Sequence, residues 1–158
     1  MRFILASCAI FFFSVTVKAI SYSGSGGAAH HCMIREEDHT LWCWGQNEKG
    51  QLGIGNSEVQ HKPIKIDLGK GVEALKVGCA YAHTCAVIRD SATSLNSIKC
   101  WGLNSLGQLG LGSEKLVIGI QPGETAEKLE PVFTGKTAPR ELAVGAFHTC
   151  VTFEGGEL

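Results

Sequence analysis

A thirteen-residue block occurs twice in this chain, and it limits what the chain can fold into. Cys43-Trp44-Gly45-Gln46-Asn47-Glu48-Lys49-Gly50-Gln51-Leu52-Gly53-Ile54-Gly55 returns as Cys100-Trp101-Gly102-Leu103-Asn104-Ser105-Leu106-Gly107-Gln108-Leu109-Gly110-Leu111-Gly112. Nine of the thirteen positions are identical, and the step from Cys43 to Cys100 is 57 residues. A repeat of that length is too long for an ankyrin or leucine-rich unit and suits a propeller blade.

A second element cycles with the first. Gly27-Ala28-Ala29-His30-His31-Cys32 precedes the first block, and Ala80-Tyr81-Ala82-His83-Thr84-Cys85 precedes the second. Gly145-Ala146-Phe147-His148-Thr149-Cys150 stands near the end with no block after it. About two and a third turns of the cycle are therefore expected.

These residues resemble the repeat of the regulator of chromosome condensation family. The string Trp-Gly-x-Asn-x-x-Gly-Gln-Leu-Gly-x-Gly carries the resemblance, which runs from Gly27 to the end. The structural signature is then Trp44, Gly45, Asn47, Gly50, Gln51, Leu52, Gly53 and Gly55, with Trp101, Gly102, Asn104, Gly107, Gln108, Leu109, Gly110 and Gly112, and with His83 and His148. The resemblance implies an all-β fold of β-propeller blades, each a four-stranded antiparallel sheet, seven in an intact protein. The added cysteines look like those of secreted members.

The N-terminus reads as a signal peptide over residues 1–19. Arg2 is followed by an apolar run from Phe3 to Val17, and Val17-Lys18-Ala19 places small residues at a cleavage site. The run is short for a membrane span. Residues 20–26 read as a short Gly/Ser-rich linker, and 27–158 as the repeats, incomplete at the C-terminus. Cleavage removes Arg2 and Lys18 from the 14 basic residues, leaving 12 against 15 acidic ones. With no basic cluster, a nucleic-acid partner is not expected. No membrane association is expected after cleavage.

Export favours disulfides among the remaining cysteines. If Cys32 faces Cys43 across a hairpin, Met33 faces Trp42, Ile34 faces Leu41, Arg35 faces Thr40 and Glu36 faces His39. The loop is then Glu37-Asp38, a common two-residue length. The same logic sets Cys85 opposite Cys100 and Val87 opposite Ile98, with a loop from about Asp90 to Leu95. Directly opposed residues lie roughly 4.5–5.5 Å apart at Cα, within disulfide range. Gly155-Gly156 suits a third hairpin, which would place the partner of Cys150 beyond Leu158. The chain is therefore expected to be a fragment continuing with Cys-Trp-Gly, marginally stable by itself. Cys79 and Cys150 are left unpaired, Cys79 as a small buried apolar residue.

Strands are expected at Leu75-Lys76-Val77, Leu142-Ala143-Val144, Pro63-Ile64-Lys65-Ile66 and Pro131-Val132-Phe133. Trp44 and Trp101 should pack between blades, the signature glycines should take tight turns, and Asn47 and Asn104 should make Asx turns. His83 and His148 should bond backbone within their own blades.

The chemistry-bearing alternatives are weaker. Gly-x-x-Gly-x-Gly lacks the strand–helix setting and the Lys-Ser/Thr of a phosphate loop. His30, His31, Cys32 and Cys43 could ligate zinc, but the spacing is not that of a zinc finger and export favours oxidised thiols. No Ser/His/Asp set can be assembled. No enzyme activity and no cofactor are expected. The expected role is a secreted or lumenal binding scaffold for a protein or extracellular ligand, with recognition in the divergent loops Asp90–Ser97 and Ser113–Glu130. The alternative is a purely structural propeller segment. Exchange-factor activity, known for a nuclear family member, ranks below both, because its loops cannot be matched here.

Overall fold

The computed structural model describes residues 21–153. Residues 1–19, expected to be a signal peptide, and Gly155-Gly156 lie outside them. Eleven strands occur among the described residues: β1 (Tyr22–Gly26), β2 (His30–Arg35), β3 (Thr40–Gly45), β4 (Gln60–Lys65), β5 (Val72–Cys79), β6 (His83–Asp90), β7 (Asn96–Leu103), β8 (Val117–Ile118), β9 (Phe133–Gly135), β10 (Pro139–Gly145) and β11 (His148–Phe153). They make three antiparallel sheets, which are the propeller's blades. Blade 1 is β1-β2-β3-β4. Blade 2 is β5-β6-β7, with β8 and β9 both on the outer side of β7. Blade 3 contributes β10-β11.

The hairpin registers follow the cysteines. Cys32 pairs with Cys43, Met33 with Trp42 and Ile34 with Leu41. Cys85 pairs with Cys100 and Val87 with Ile98. Parity explains this agreement: a slip by one residue would turn every side chain to the opposite face. Both pairs are disulfide-bonded, with Cα atoms 4.1 Å apart in each.

The first loop differs from expectation. Pairing stops at Arg35↔Thr40, leaving Glu36–His39 as a four-residue turn. Asp38 is the cause. Its Oδ1 accepts from the Thr40 amide at 3.3 Å and the Thr40 hydroxyl at 2.7 Å, and its carboxylate pairs with Arg35. That bonding holds the Asp38 carboxyl well below the usual carboxylate range and leaves His39 in the left-handed region at φ 53°. The second loop behaves similarly: Asp90 Oδ1 accepts from the amides of Ala92 and Thr93.

Tyr22–Gly26, expected as part of a linker, is the strand β1. Its composition hid it. Small residues are needed there because a Cβ at Gly24 would come within 2.7 Å of the Cys32 carbonyl oxygen.

Strand β6 organises the core, and six of its eight residues are buried. Ala86 and Ile88 face blade 1, where they join Cys32, Ile34, Leu41, Cys43, Leu52 and Trp101. Cys85 and Val87 face blade 3, with Ile98, Cys100, Leu109 and Ile118, against which Leu142, Val151 and Phe153 pack. The alternation of a single strand thus feeds two separate cores. Strand β5 needs a correction to do the same. Ala74 and Val77 both pack toward blade 1, although an odd spacing should separate them, and a register shift between Ala74 and Lys76 restores the parity.

The segment after Gly112 also differs from a free recognition loop. In blade 1 the outer strand is continuous; in blade 2 it is split into β8 and β9. The residues between them return to blade 1. Ile54 bridges Thr125, the Ala126 amide donates to Gly53 O at 2.9 Å, and Ala126 is fully buried. Lys99 ties this excursion down, its Nζ donating to Ala126 O at 3.0 Å and Glu127 O at 2.7 Å. Within this segment Ile118 packs into the blade 2 core while Leu116 stays exposed.

Gly102 stands one residue before the end of β7 in blade 2, and its counterpart Gly45 ends β3 in blade 1. Both have φ above +100°, and a Cβ on Gly102 would lie 2.5 Å from Ala82 O. Gly107 has φ +73° but open space around its Cβ position. Gly107→Ala should therefore cost about 1–2 kcal/mol for the left-handed backbone alone. Gly102→Ala should cost clearly more, read as a larger drop in the urea midpoint.

Candidate protein-interaction face and the seam beneath it

Each block's turn is built around a buried asparagine. Asn47 Oδ1 accepts from the Leu52 amide at 2.9 Å, and its Nδ2 donates to Asn56 O at 2.7 Å. Asn104 repeats this with the Leu109 amide and the carbonyls of Ser113 and Lys115. These are staples across five to eleven residues, longer than the local Asx turns expected. The difference arises because both side chains are buried, so both ends of each amide must find partners.

The staple presents the Gln51 carbonyl to the next blade. Trp101 Nε1 donates to Gln51 O at 2.9 Å, and Thr84 Oγ1 donates to the same oxygen at 2.7 Å. The Trp101 ring lies on Gly53, where a Cβ would come within 2.9 Å of Nε1. Trp101 is fully buried between blades 1 and 2, whereas Trp44 is half-buried and stacks on His31 with centroids 5.6 Å apart.

The histidines complete the seam in a way the sequence does not show. His30 Nε2 lies 2.8 Å from Thr84 Oγ1. Thr84 has already committed its only hydrogen to Gln51 O, so His30 Nε2 donates and Nδ1 carries the lone pair. His83 does the same to Thr149 at 3.1 Å, and Thr149 donates to Gln108 O at 3.1 Å. His83 therefore bonds the next blade's hydroxyl, not backbone in its own blade. His148 is exposed. Burial is the main force pulling both buried imidazoles down to about 4, assisted by neighbouring histidines.

Among the described residues no three His, Cys, Asp or Glu side chains gather as a metal-ligand set. Cys32 and Cys43 are bonded to each other, and His30 and His31 turn to Thr84 and Trp44. Cys79 is buried with a free thiol that burial pushes up to about 12, and Cys150 is free and exposed.

Above the seam, the turns that precede each histidine lie at one end of the blades. Tyr81 and Phe147 occupy these turns in blades 2 and 3, about half-exposed, with ring centroids 5.6 Å apart. Blade 1 has Ala28 and Ala29 there, and the Ala28 amide donates to Ala80 O across the blades. The signal for this pair was present, because an aromatic precedes the histidine in the second and third cycles but not in the first.

The regulator of chromosome condensation (RCC1) repeat matches residues 38–87, and a second form of that repeat matches residues 17–51. The chain belongs to this repeat family. The ultraviolet-B receptor UVR8 of Arabidopsis thaliana is 35% identical over 86 residues, covering 54% of this chain and 18% of UVR8. The protein RCC2 homolog of Xenopus laevis is 37% identical over 100 residues, covering 63% of this chain and 18% of that protein. Among solved structures, Prp20p of Saccharomyces cerevisiae, described with its binding properties to Gsp1p and histones, superposes with a TM-score of 0.57 at 26% identity. That match covers 85% of this chain and 30% of Prp20p. The chain thus spans less than a fifth of these curated relatives and about three-tenths of the solved propeller.

Two outcomes test the seam. Trp101→Ala removes a fully buried indole and its hydrogen bond and should cost about 3–5 kcal/mol in urea denaturation. Stability should also fall as pH drops from 6.5 toward 4. Across that window the unfolded chain takes up protons at His30 and His83 that the folded chain refuses. The double variant His30→Asn, His83→Asn should lose most of this slope.

Proposed function

We propose that this chain is a non-catalytic, exported binding module that presents a protein-recognition surface at the Tyr81/Phe147 end of its blades. The exposed aromatic pair carries this reading. Both rings sit on short turns held by a buried cross-blade network, so little conformational entropy is lost when a partner covers them. Tyrosine and phenylalanine supply large contact area of the kind that dominates interfaces. The binding of Prp20p to Gsp1p and histones supports the class of function; the partner here follows from the local chemistry, an apolar or aromatic protein surface.

Export is the second element. The Arg2 to Ala19 segment and the two cross-strand cystines support an oxidising compartment. Each cystine lies in a core facing the next blade, where it fixes register and restricts the unfolded chain.

Two measurements test this. The native secreted protein should begin at Ile20, and Cys32, Cys43, Cys85 and Cys100 should be capped after denaturation only once the protein is reduced. A retained leader, or capping of these four cysteines without reduction, would exclude export through an oxidising compartment. For binding, a photo-crosslinking residue at Phe147 should give a discrete protein adduct in the producing cells, while one at Val59 should not. Equal adducts from both positions would remove the aromatic end as the recognition surface.

A further inference from the structure

Three cysteines meet in the core between blades 1 and 2. Cys32 and Cys43 are bonded to each other, and Cys79, at the end of β5, is a free thiol buried in the same cluster. The strand registers explain the meeting. Ser25 lies opposite Cys32 across β1 and β2, and Cys32 lies opposite Cys43 across β2 and β3. Directly opposed residues share a face, so the three form one row on the side of blade 1 that blade 2 covers. Cys79 lands on the inner end of that row, where its amide donates to Ser25 Oγ at 3.0 Å. Its thiol faces the Thr84 hydroxyl, the Cys32 backbone and the Ser25 hydroxyl. Cys79 is 5% exposed, and Cys32–Cys43 is the one cystine in its cluster among the described residues.

The arrangement is peculiar to this seam. The residue four before the repeat histidine is Cys79 in blade 2, but Gly26 in blade 1 and Val144 in blade 3. Val144 packs against Gly78, and the second cystine, Cys85–Cys100, lies in the other core with no free thiol beside it among the described residues.

We infer that Cys79 is a built-in exchange partner for the Cys32–Cys43 cystine, able to move the crosslink from within blade 1 to the seam between blades 1 and 2. The Cys79 thiolate attacks Cys32 Sγ, and the Cys79–Cys32 bond forms. The Cys32–Cys43 bond breaks, and Cys43 leaves as the thiolate, taking up the proton that Cys79 gave up. The number of disulfides is unchanged, so neither oxidant nor reductant is consumed. Burial keeps the Cys79 thiol protonated, and Cys32–Cys43 is therefore the resting pair. Water that enters at the inner end of the seam removes that restraint. Loosening of the joint thus starts a reaction that fastens it covalently. The β2–β3 ladder, paired from His30↔Gly45 to Arg35↔Thr40, holds the hairpin in register meanwhile.

The test uses the full chain carrying Cys150→Ser, which removes the exposed thiol that would exchange between molecules. The protein is held at pH 8.5 without added thiol, quenched in acid, capped and mapped by peptide mass. The free thiol should move from Cys79 to Cys43 in about a tenth of the molecules or more. A Cys32–Cys79 linked peptide should appear in matching amount, with Cys85–Cys100 intact. A cap found on Cys79 alone would overturn the inference. So would Cys79 linked to Cys85 or Cys100 as often as to Cys32, which is the mark of general unfolding. Adding Cys43→Ser tests the reach of Cys79 directly: air oxidation should bond Cys32 to Cys79 and leave neither open to capping. Capping of both in a variant that still melts cooperatively would also overturn it.

Discussion

One backbone carbonyl, that of Gln51, takes two hydrogen bonds across the seam between the first two blades. It receives the Thr84 hydroxyl and the Trp101 indole, and it can do so because Asn47 holds its turn rigid from the other side. A buried carbonyl has two lone pairs, and this one uses both on the next blade. The apolar packing of Trp101 on Leu52 and Gly53 surrounds that contact and keeps water from competing for it. The repeated string is conspicuous because these requirements act together. A large indole needs a glycine beneath it, and the turn that offers the carbonyl needs asparagine and glycines in left-handed conformations.

The hairpins were legible in the sequence because the cysteines mark parity, and parity determines which side chains meet. What was hidden had partners far away in the chain. His30 finds Thr84 54 residues on, and nothing local distinguishes that bond from one to its own backbone. The excursion after Gly119 looked like a recognition loop because its contacts, Gly53 and Ile54, belong to the previous repeat. Strand β1 was hidden for the opposite reason. Its glycines and serines are the small residues a close neighbouring strand demands, and they match the composition of a linker. The first turn departed from expectation because one carboxylate, Asp38, outweighed the preference for a two-residue loop.

The candidate interaction face follows from where the repeat tolerates change. The seam residues recur because each has a buried partner, while the two positions before each histidine are Ala28-Ala29, Tyr81-Ala82 and Ala146-Phe147. Freedom there is what allows an aromatic to stand exposed on a rigid turn, and recognition can change at such positions without loss of the seam beneath.

The hydrogen-bond chain through each seam has a direction. His30 donates to Thr84, and Thr84 donates to Gln51; His83, Thr149 and Gln108 follow in the same sense. Each blade therefore has two unlike faces: one carries the cystine and the Gln carbonyl, the other the hydroxyl and the indole. Stacking of this kind is heterologous, so blades add in one order only, and cohesion is a sum over adjacent seams. A lesion in one seam can weaken that joint while the cooperative unit on its far side stays intact. The molecule is mechanically closer to a row of polar couplings than to a single core.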